Sequence, residues 1–261
     1  MEETGRSSIA EGYRRQRTVV RDYGAIGTTM IARAALGALV LYTGCGGAGD
    51  GEQVHRSSIE SDGAVSIRGD VWADNWFAFY LGEKLILEDS VPITTERSFN
   101  AESFEFHADY PIQLNFVIQD FKENDTGLEY IGSPRQQMGD GGFIAQFVDT
   151  SSGQTIAVSN SDWRCLVVHE APLDKACEDD ANPTAGVGAC KFVASKEPEG
   201  WKAPGYSEAG WINPTEYSGS AVGPKHGYDG ISWDPAAKLI WTGDLETHNT
   251  ILCRVTLNPP Q

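Results

Sequence analysis

The chain has 261 residues, with 37 acidic against 20 basic side chains and a formal net charge of −17. A surface of that sign repels phosphate backbones and anionic headgroups, which argues against nucleic acid or peripheral membrane binding and leaves neutral sugars, cations and basic proteins as partners. The length suits one large β domain behind a leader, and 29 glycines with 12 prolines interrupt the chain too often for long helices.

The run from Met30 to Cys45 places Arg33 ahead of an apolar stretch of about nine residues, then small residues before a cysteine, the layout of an export signal too short to span a bilayer. Leu41-Tyr42-Thr43-Gly44-Cys45 resembles the lipobox of bacterial lipoproteins, and that resemblance implies lipidation of Cys45 and a mature chain beginning there. Residues 1–29 carry Arg14, Arg15, Arg17 and Arg21 without an apolar run, so they read as an extension upstream of a start at Met30, and 1–44 as the signal region. Residues 45–62 are small, polar and aperiodic, the composition of a flexible tether. Gly46 stands where the inner-membrane retention signal has aspartate, so the expected location is the cell envelope, at the outer membrane or cell surface, with secretion as the alternative.

A single domain is expected over 63–258, and its dominant period is two. Ile112, Leu114, Phe116 and Ile118 alternate with Gln113, Asn115, Val117 and Gln119, one face in and the other mostly out. Strands are likewise predicted at Asn75–Leu81 turning at Gly82-Glu83 into Lys84–Glu88, and at Ser103–Ala108, Gly142–Asp149, Gln154–Ser159, Trp163–His169 and Thr250–Leu257. No stretch of ten residues carries a helical stripe, so the class is all-β: a two-sheet antiparallel β-sandwich with long ordered loops. Lys191 to Trp233 shows no clear period, and its Trp, Pro, Gly and Tyr residues imply ordered loops.

Beyond Cys45 four cysteines remain, an even number that reads as two disulfides in an oxidising compartment and permits three pairings. Trp163, Cys165 and Val167 share one strand face, as do Ile251, Cys253, Val255 and Leu257. Both cysteines then point inward, which predicts a Cys165–Cys253 bridge pinning the last strand into the sandwich. Cys177 and Cys190 would close the acidic loop between them, a short loop whose closure is worth roughly 3 kcal/mol.

Val71-Trp72-Ala73-Asp74-Asn75 with the alternating aromatics to Leu81 resembles the opening strands of galactose-binding-like jelly-roll modules. Gly142–Gln146, Ser161–Cys165, Leu239–Trp241 and Leu252–Arg254 resemble later landmarks of the same secreted, carbohydrate-binding-module-like domains. The resemblance implies a jelly-roll scaffold and does not fix a ligand.

Aromatic faces stack on sugar rings, and Trp201, Tyr206, Trp211, Tyr228 and Trp233 form the candidate ligand-binding set; the competing expectation is that they pack as a minor core. Asp244, Glu246 and Asn249 lie close enough in sequence to suggest a calcium site, against the plainer reading of a solvated acidic edge, and calcium is the cofactor considered. Asp74 and Asn75 read as turn-ordering residues. His-x-His, His-Glu-x-x-His and Gly-x-Ser-x-Gly are absent, and no catalytic residue is assigned. The leading expectation is a surface-anchored lipoprotein whose non-catalytic sandwich binds carbohydrate or an extracellular protein. A hydrolase or metal-dependent enzyme using His226 or His248 with nearby carboxylates is the second, and a structural envelope protein the third. Whether Trp201, Trp211 and Trp233 are buried or line an open groove separates the first from the last.

Overall fold

The protein's structure, a computed structural model, describes residues 54–260; the signal region, Cys45 and the first half of the expected tether lie outside the described residues. Its strands are β1 (Val54–Ser58), β2 (Val65–Asp74), β3 (Trp76–Leu81), β4 (Lys84–Glu88), β5 (Ala101–Ala108), β6 (Ile112–Gln119), β7 (Leu128–Glu129), β8 (Gln137–Met138), β9 (Gly142–Asp149), β10 (Thr155–Val158), β11 (Arg164–Glu170), β12 (Val193–Ala194), β13 (Thr215–Tyr217), β14 (Leu239–Trp241) and β15 (His248–Leu257). One sheet runs β1-β5-β2-β9-β14-β13 with β10 also on β9, and the other runs β12-β11-β15-β6-β3-β4. Every pairing is antiparallel except β1 on β5. The all-β sandwich expected from the alternation is present, with β7 and β8 forming a small separate hairpin.

The period of two sends alternate side chains from both sheets into one layer. From the first sheet come Ile67, Val71, Phe104, Phe106, Phe143 and Phe147; from the second come Phe79, Leu114, Phe116, Ile118 and Ile251. Phe79 stacks on Phe116 at 4.9 Å between centroids and lies within 6 Å of Phe104, Phe106 and Phe147. Gly69 is required inside β2, because a Cβ there would stand 2.8 Å from the Phe104 ring.

Both expected disulfides form, Cys165–Cys253 and Cys177–Cys190. Cys165 and Cys253 are directly opposed on neighbouring strands β11 and β15, so the first bridge staples the last strand within one sheet and does not join the two layers. The second pins a loop beneath Leu128 and Met138 of the β7–β8 hairpin.

A third layer is the main departure from a plain two-sheet sandwich. The aperiodic segment after β12 crosses both outer faces. Trp201 and Trp211 pack on Ala78, Val117, Val168 and Leu252 of the second sheet. Tyr217, Val222, Tyr228, Ile231 and Trp233 pack on Val54, Trp72, Ala101, Ile144 and Leu239 of the first. This explains why β6 is buried on both faces: Val117 lies under the tryptophans, and Asn115 donates through Nδ2 to the carbonyls of Gly82 and Lys202 at 2.9 and 3.0 Å. Arg254, on the outer face of β15, is 1% exposed and holds the cover down. Its guanidinium donates to the carbonyls of Trp201 (2.7 Å) and Ala203 (3.2 Å), and Nε lies 3.3 Å from Glu208 Oε1.

The sandwich also begins earlier than composition suggests. Val54–Ser58, inside the segment read as tether, is an edge strand of the first sheet, paired in register with Ala101–Glu105. Val54 is buried, and Gly230 passes so close that a Cβ on it would meet Val54 Cγ2 at 2.6 Å.

Candidate functional site

Two places on the sandwich gather polar chemistry. The first is a groove of about 570 Å³ on the outer face of the first sheet, beside the Gly230–Ser232 turn of the third layer. Its floor comes from three adjacent strands, which alternation places side by side on one face: Asp70 from β2, Ser103 from β5 and Gln146 from β9. Asp70 is buried; Oδ1 accepts from Ser103 Oγ at 2.7 Å, and Oδ2 accepts from Gln146 Nε2 at 2.8 Å and Arg68 Nε at 3.3 Å. Gln146 also donates to the Ser232 carbonyl at 3.2 Å, while its Oε1 accepts from the Asp234 amide at 2.6 Å, so the turn that forms the wall is tied to the floor. The Arg68 side chain is 46% exposed, and Arg56 of β1 also lines the groove. A carboxylate, an amide, a hydroxyl and the Arg68 guanidinium are thus linked in one hydrogen-bonded network on the groove floor.

The second place is one end of the sandwich, where Asp74 closes β2, Asp120 follows β6, Glu129 sits in β7 and Asp140 precedes β9. Asp74 and Asp120 are buried, and none of their four carboxylate oxygens has a hydrogen-bond partner; Glu129 is buried with Oε1 unpartnered. Burial, and then Asp140, push the Asp74 carboxyl well above the usual range. Asp120 is raised in the same way by burial and then by Asp74, Glu129 and Asp140. Glu129 is pushed up to about 7, again by burial first and then by Asp140. Lys225 Nζ lies 3.5 Å from Asp140 Oδ2; its partial burial pulls its pKa down, but Asp140, Asp74 and Glu129 together hold it above its ordinary value.

The aromatic residues singled out in the sequence are divided between the two outer faces. Trp201 (2% exposed) and Trp211 (4%) pack against each other over the second sheet with rings tilted by 40° and 5.8 Å between centroids, with Tyr206 half-buried beside Trp211. Tyr228 and Trp233 are half-buried over the first sheet, where Tyr228 meets the edge of Trp72. The five do not share a groove. Ile231, between Tyr228 and Trp233 in the chain, lines the polar groove.

Asp244, Glu246 and Asn249 also stand apart in their bonding. Asp244 Oδ1 accepts from the amides of Glu246 and Thr247 at 2.9 and 3.0 Å, Glu246 meets Lys175 at 3.4 Å, and buried Asn249 donates to the carbonyls of Ala171 and Thr247. Among the described residues, no three histidine, cysteine or carboxylate side chains converge on a point as a metal ion's shell requires. The His226 ring packs edge-on to Phe99 next to Lys225, whereas the His248 ring bonds to Thr242. No described contact joins the two histidines.

The groove floor was not singled out in the sequence. Asp70, Ser103 and Gln146 lie far apart in the chain, and the only available signal was that each is polar at an outward position of a strand whose inward positions are apolar. Among the described residues no helix is long and apolar enough to cross a membrane. Comparison with protein-family models, with curated proteins and with solved structures finds no match.

Proposed function

We propose that the protein is an exported, lipid-anchored recognition module that binds carbohydrate in the groove on the outer face of its first sheet. The observation that carries this reading is the network Asp70–Ser103–Gln146–Arg68 on the groove floor. Sugar hydroxyls both donate and accept, so they pair with fixed carboxylate, amide and guanidinium groups at little ordering cost. Stacking on Trp201 and Trp211 is not part of the reading, because both rings are covered. The expected ligand is therefore recognised through its hydroxyls. The acidic composition favours a neutral glycan over an anionic one.

A glycan array followed by calorimetry tests this. Arg68→Ala and Gln146→Ala are each expected to weaken binding by about tenfold or more, at roughly 1–3 kcal/mol for each partner left unpaired; the exposed Arg68 should be lost with a melting temperature close to that of the parent, whereas Gln146→Ala also unties the groove wall and should lower it. Absence of binding to any neutral glycan, or binding untouched by both substitutions, would overturn the assignment.

The export signal, the lipobox-like pentapeptide and two disulfides support placement in the cell envelope. Mass spectrometry of the mature N-terminus is expected to find an acylated Cys45; an intact leader or a free thiol there would reject the anchor.

A further inference from the structure

The side of the sandwich beside β10 is not closed by any described strand. β10 pairs with β9 alone, and β15 outruns its neighbour β11 at Arg254, so Val255–Leu257 pair only with β6. Two strand edges, one from each sheet, are left unpaired along a shared cavity of about 400 Å³. Its lining is mostly apolar, with Ile156 and Val158 from β10, Val255 and Leu257 from β15, and Trp163 just ahead of β11. The floor is fixed. Trp163 is 1% exposed, and its ring packs against Phe116 and Phe143 of the core at 5.7 and 5.9 Å between centroids. Its Nε1 donates to the Val158 carbonyl at 2.8 Å, which ties the two sheets together at this point. The walls remain open to water: Ile156, Val255 and Leu257 are only half-buried, although each packs on the core. A concave site of this size, apolar with a few polar groups at its edge, suits a small ligand whose burial removes that apolar surface from water.

The rim carries one sign of charge. Asp162 is exposed, with Asn160 Nδ2 3.3 Å from its Oδ2. Asp234 accepts from Thr155 Oγ1 at 2.7 Å and from the Ala236 amide at 2.8 Å, bonds that hold its carboxyl below the ordinary range and keep it ionised. None of the residues lining the cavity is a lysine, arginine or histidine. Lys238, the nearest cation in sequence to Asp234, donates through Nζ to the Pro235 carbonyl at 2.8 Å. We propose that this side opening binds a small amphipathic cation, its apolar body against Trp163, Ile156, Val255 and Leu257 and its ammonium at the rim between Asp162 and Asp234. The net charge of −17 raises the local concentration of such a ligand and lowers that of an anion. The site is independent of the carbohydrate reading, because the cavity and the polar groove share no lining residue.

The test titrates the isotope-labelled soluble domain with three probes of matched size: phenethylammonium chloride, 2-phenylethanol and sodium 3-phenylpropionate. Amide chemical shifts locate binding and calorimetry measures it. The ammonium is expected to saturate, with shifts centred on Ile156–Val158, Trp163 and Val255–Leu257 and none at Ser103 or Gln146. The alcohol should bind several-fold more weakly, the carboxylate should not saturate, and high salt should narrow the gap between ammonium and alcohol. Asp162→Asn should weaken the ammonium by about threefold to fivefold, the scale of a partly exposed ion pair, with little change for the alcohol. Leu257→Ser should weaken both probes; if it fails to fold, the exposed Asp162→Asn variant keeps the test open. Absence of saturable binding by the ammonium would overturn the proposal, as would equal affinity for the alcohol or the carboxylate, or ammonium binding that Asp162→Asn leaves at full strength. So would a concentration-dependent dimer whose contact maps to these residues, since the opening would then belong to a second copy of the chain.

Discussion

Replacing Arg254 with methionine is expected to cost about 3–5 kcal/mol, the usual loss when one member of a buried charged network is removed, and to lower the melting temperature by about 10 °C. The side chain is 1% exposed and serves three partners in the covering segment, the carbonyls of Trp201 and Ala203 and the carboxylate of Glu208. Methionine fills much of the space but supplies no donors, so the Trp201 carbonyl is left unpaired and that of Ala203 keeps only the Tyr206 amide at 3.3 Å. The same segment is also held by Arg164, which donates to the Trp211 carbonyl and to Asn213 Oδ1, and by the Trp201 indole on Glu197. Loss of Arg254 should therefore loosen residues 197–208 before the sandwich unfolds. Denaturation melts would read the stability, and a red shift of tryptophan emission with early proteolysis in that segment would show where it is lost. Glu208→Gln should have a much smaller effect, because that carboxylate is partly exposed and its screening is strong. Equal effects of the two substitutions would place the weight on the ion pair and not on the carbonyls.

The second large effect is a fall in stability as pH rises through neutrality. Asp89 is 6% exposed; burial pushes its carboxyl up to about 8, with Glu102 adding to the rise and the Val91 amide opposing it. The unfolded value is about 3.9. Between those two values the folded state keeps a proton that the unfolded state has released, so stability falls as pH increases. The penalty is absent below about pH 4, grows up to about pH 8 and is constant beyond. Asp125, Asp149, Asp234 and Asp244 act in the opposite sense: their pKa values are lowered by hydrogen bonds and nearby cations, and the stability they contribute is lost as pH falls below the ordinary carboxylate range. The optimum is therefore expected near pH 5. Melts in chelator at pH 5 and pH 8 should show the higher transition at pH 5, and Asp89→Asn should reduce that difference by raising the value at pH 8. Asp74, Asp120 and Glu129, whose carboxyls burial also raises, act in the same sense, so part of the slope should remain in Asp89→Asn, and a variant with the full slope of the parent would remove Asp89 as a source.

Much of the scaffold could be read from alternation, because the apolar inward face leaves a direct imprint on strands such as Ile112–Gln119 and Gly142–Asp149, even though their outer faces are covered as well. The Cys165–Cys253 pairing was legible for the same reason: each cysteine falls on the apolar parity of its strand. β1 was not, since His55, Arg56, Ser57 and Ser58 carry no apolar alternation and the strand exists only through its parallel pairing with β5. Nor was the outer burial of β6. Asn115 and Val117 look solvent-facing in sequence, and what covers them is an aperiodic segment whose position depends on Arg254 and Arg164, distant residues that carry no local signal. The acidic end fails for a related reason. Asp74, Asp120, Glu129 and Asp140 each look like an ordinary turn carboxylate, and only the topology brings them together.

The central claim, that a polar groove on the first sheet recognises carbohydrate, is tested most directly by mapping amide chemical shifts of the labelled domain as a bound glycan is titrated. Perturbations should centre on Ser103, Gln146 and Gly230–Ser232 and leave the amides around Trp201 and Trp211 unmoved. Shifts clustered on the Trp201–Trp211 cover, with the groove silent, would contradict it.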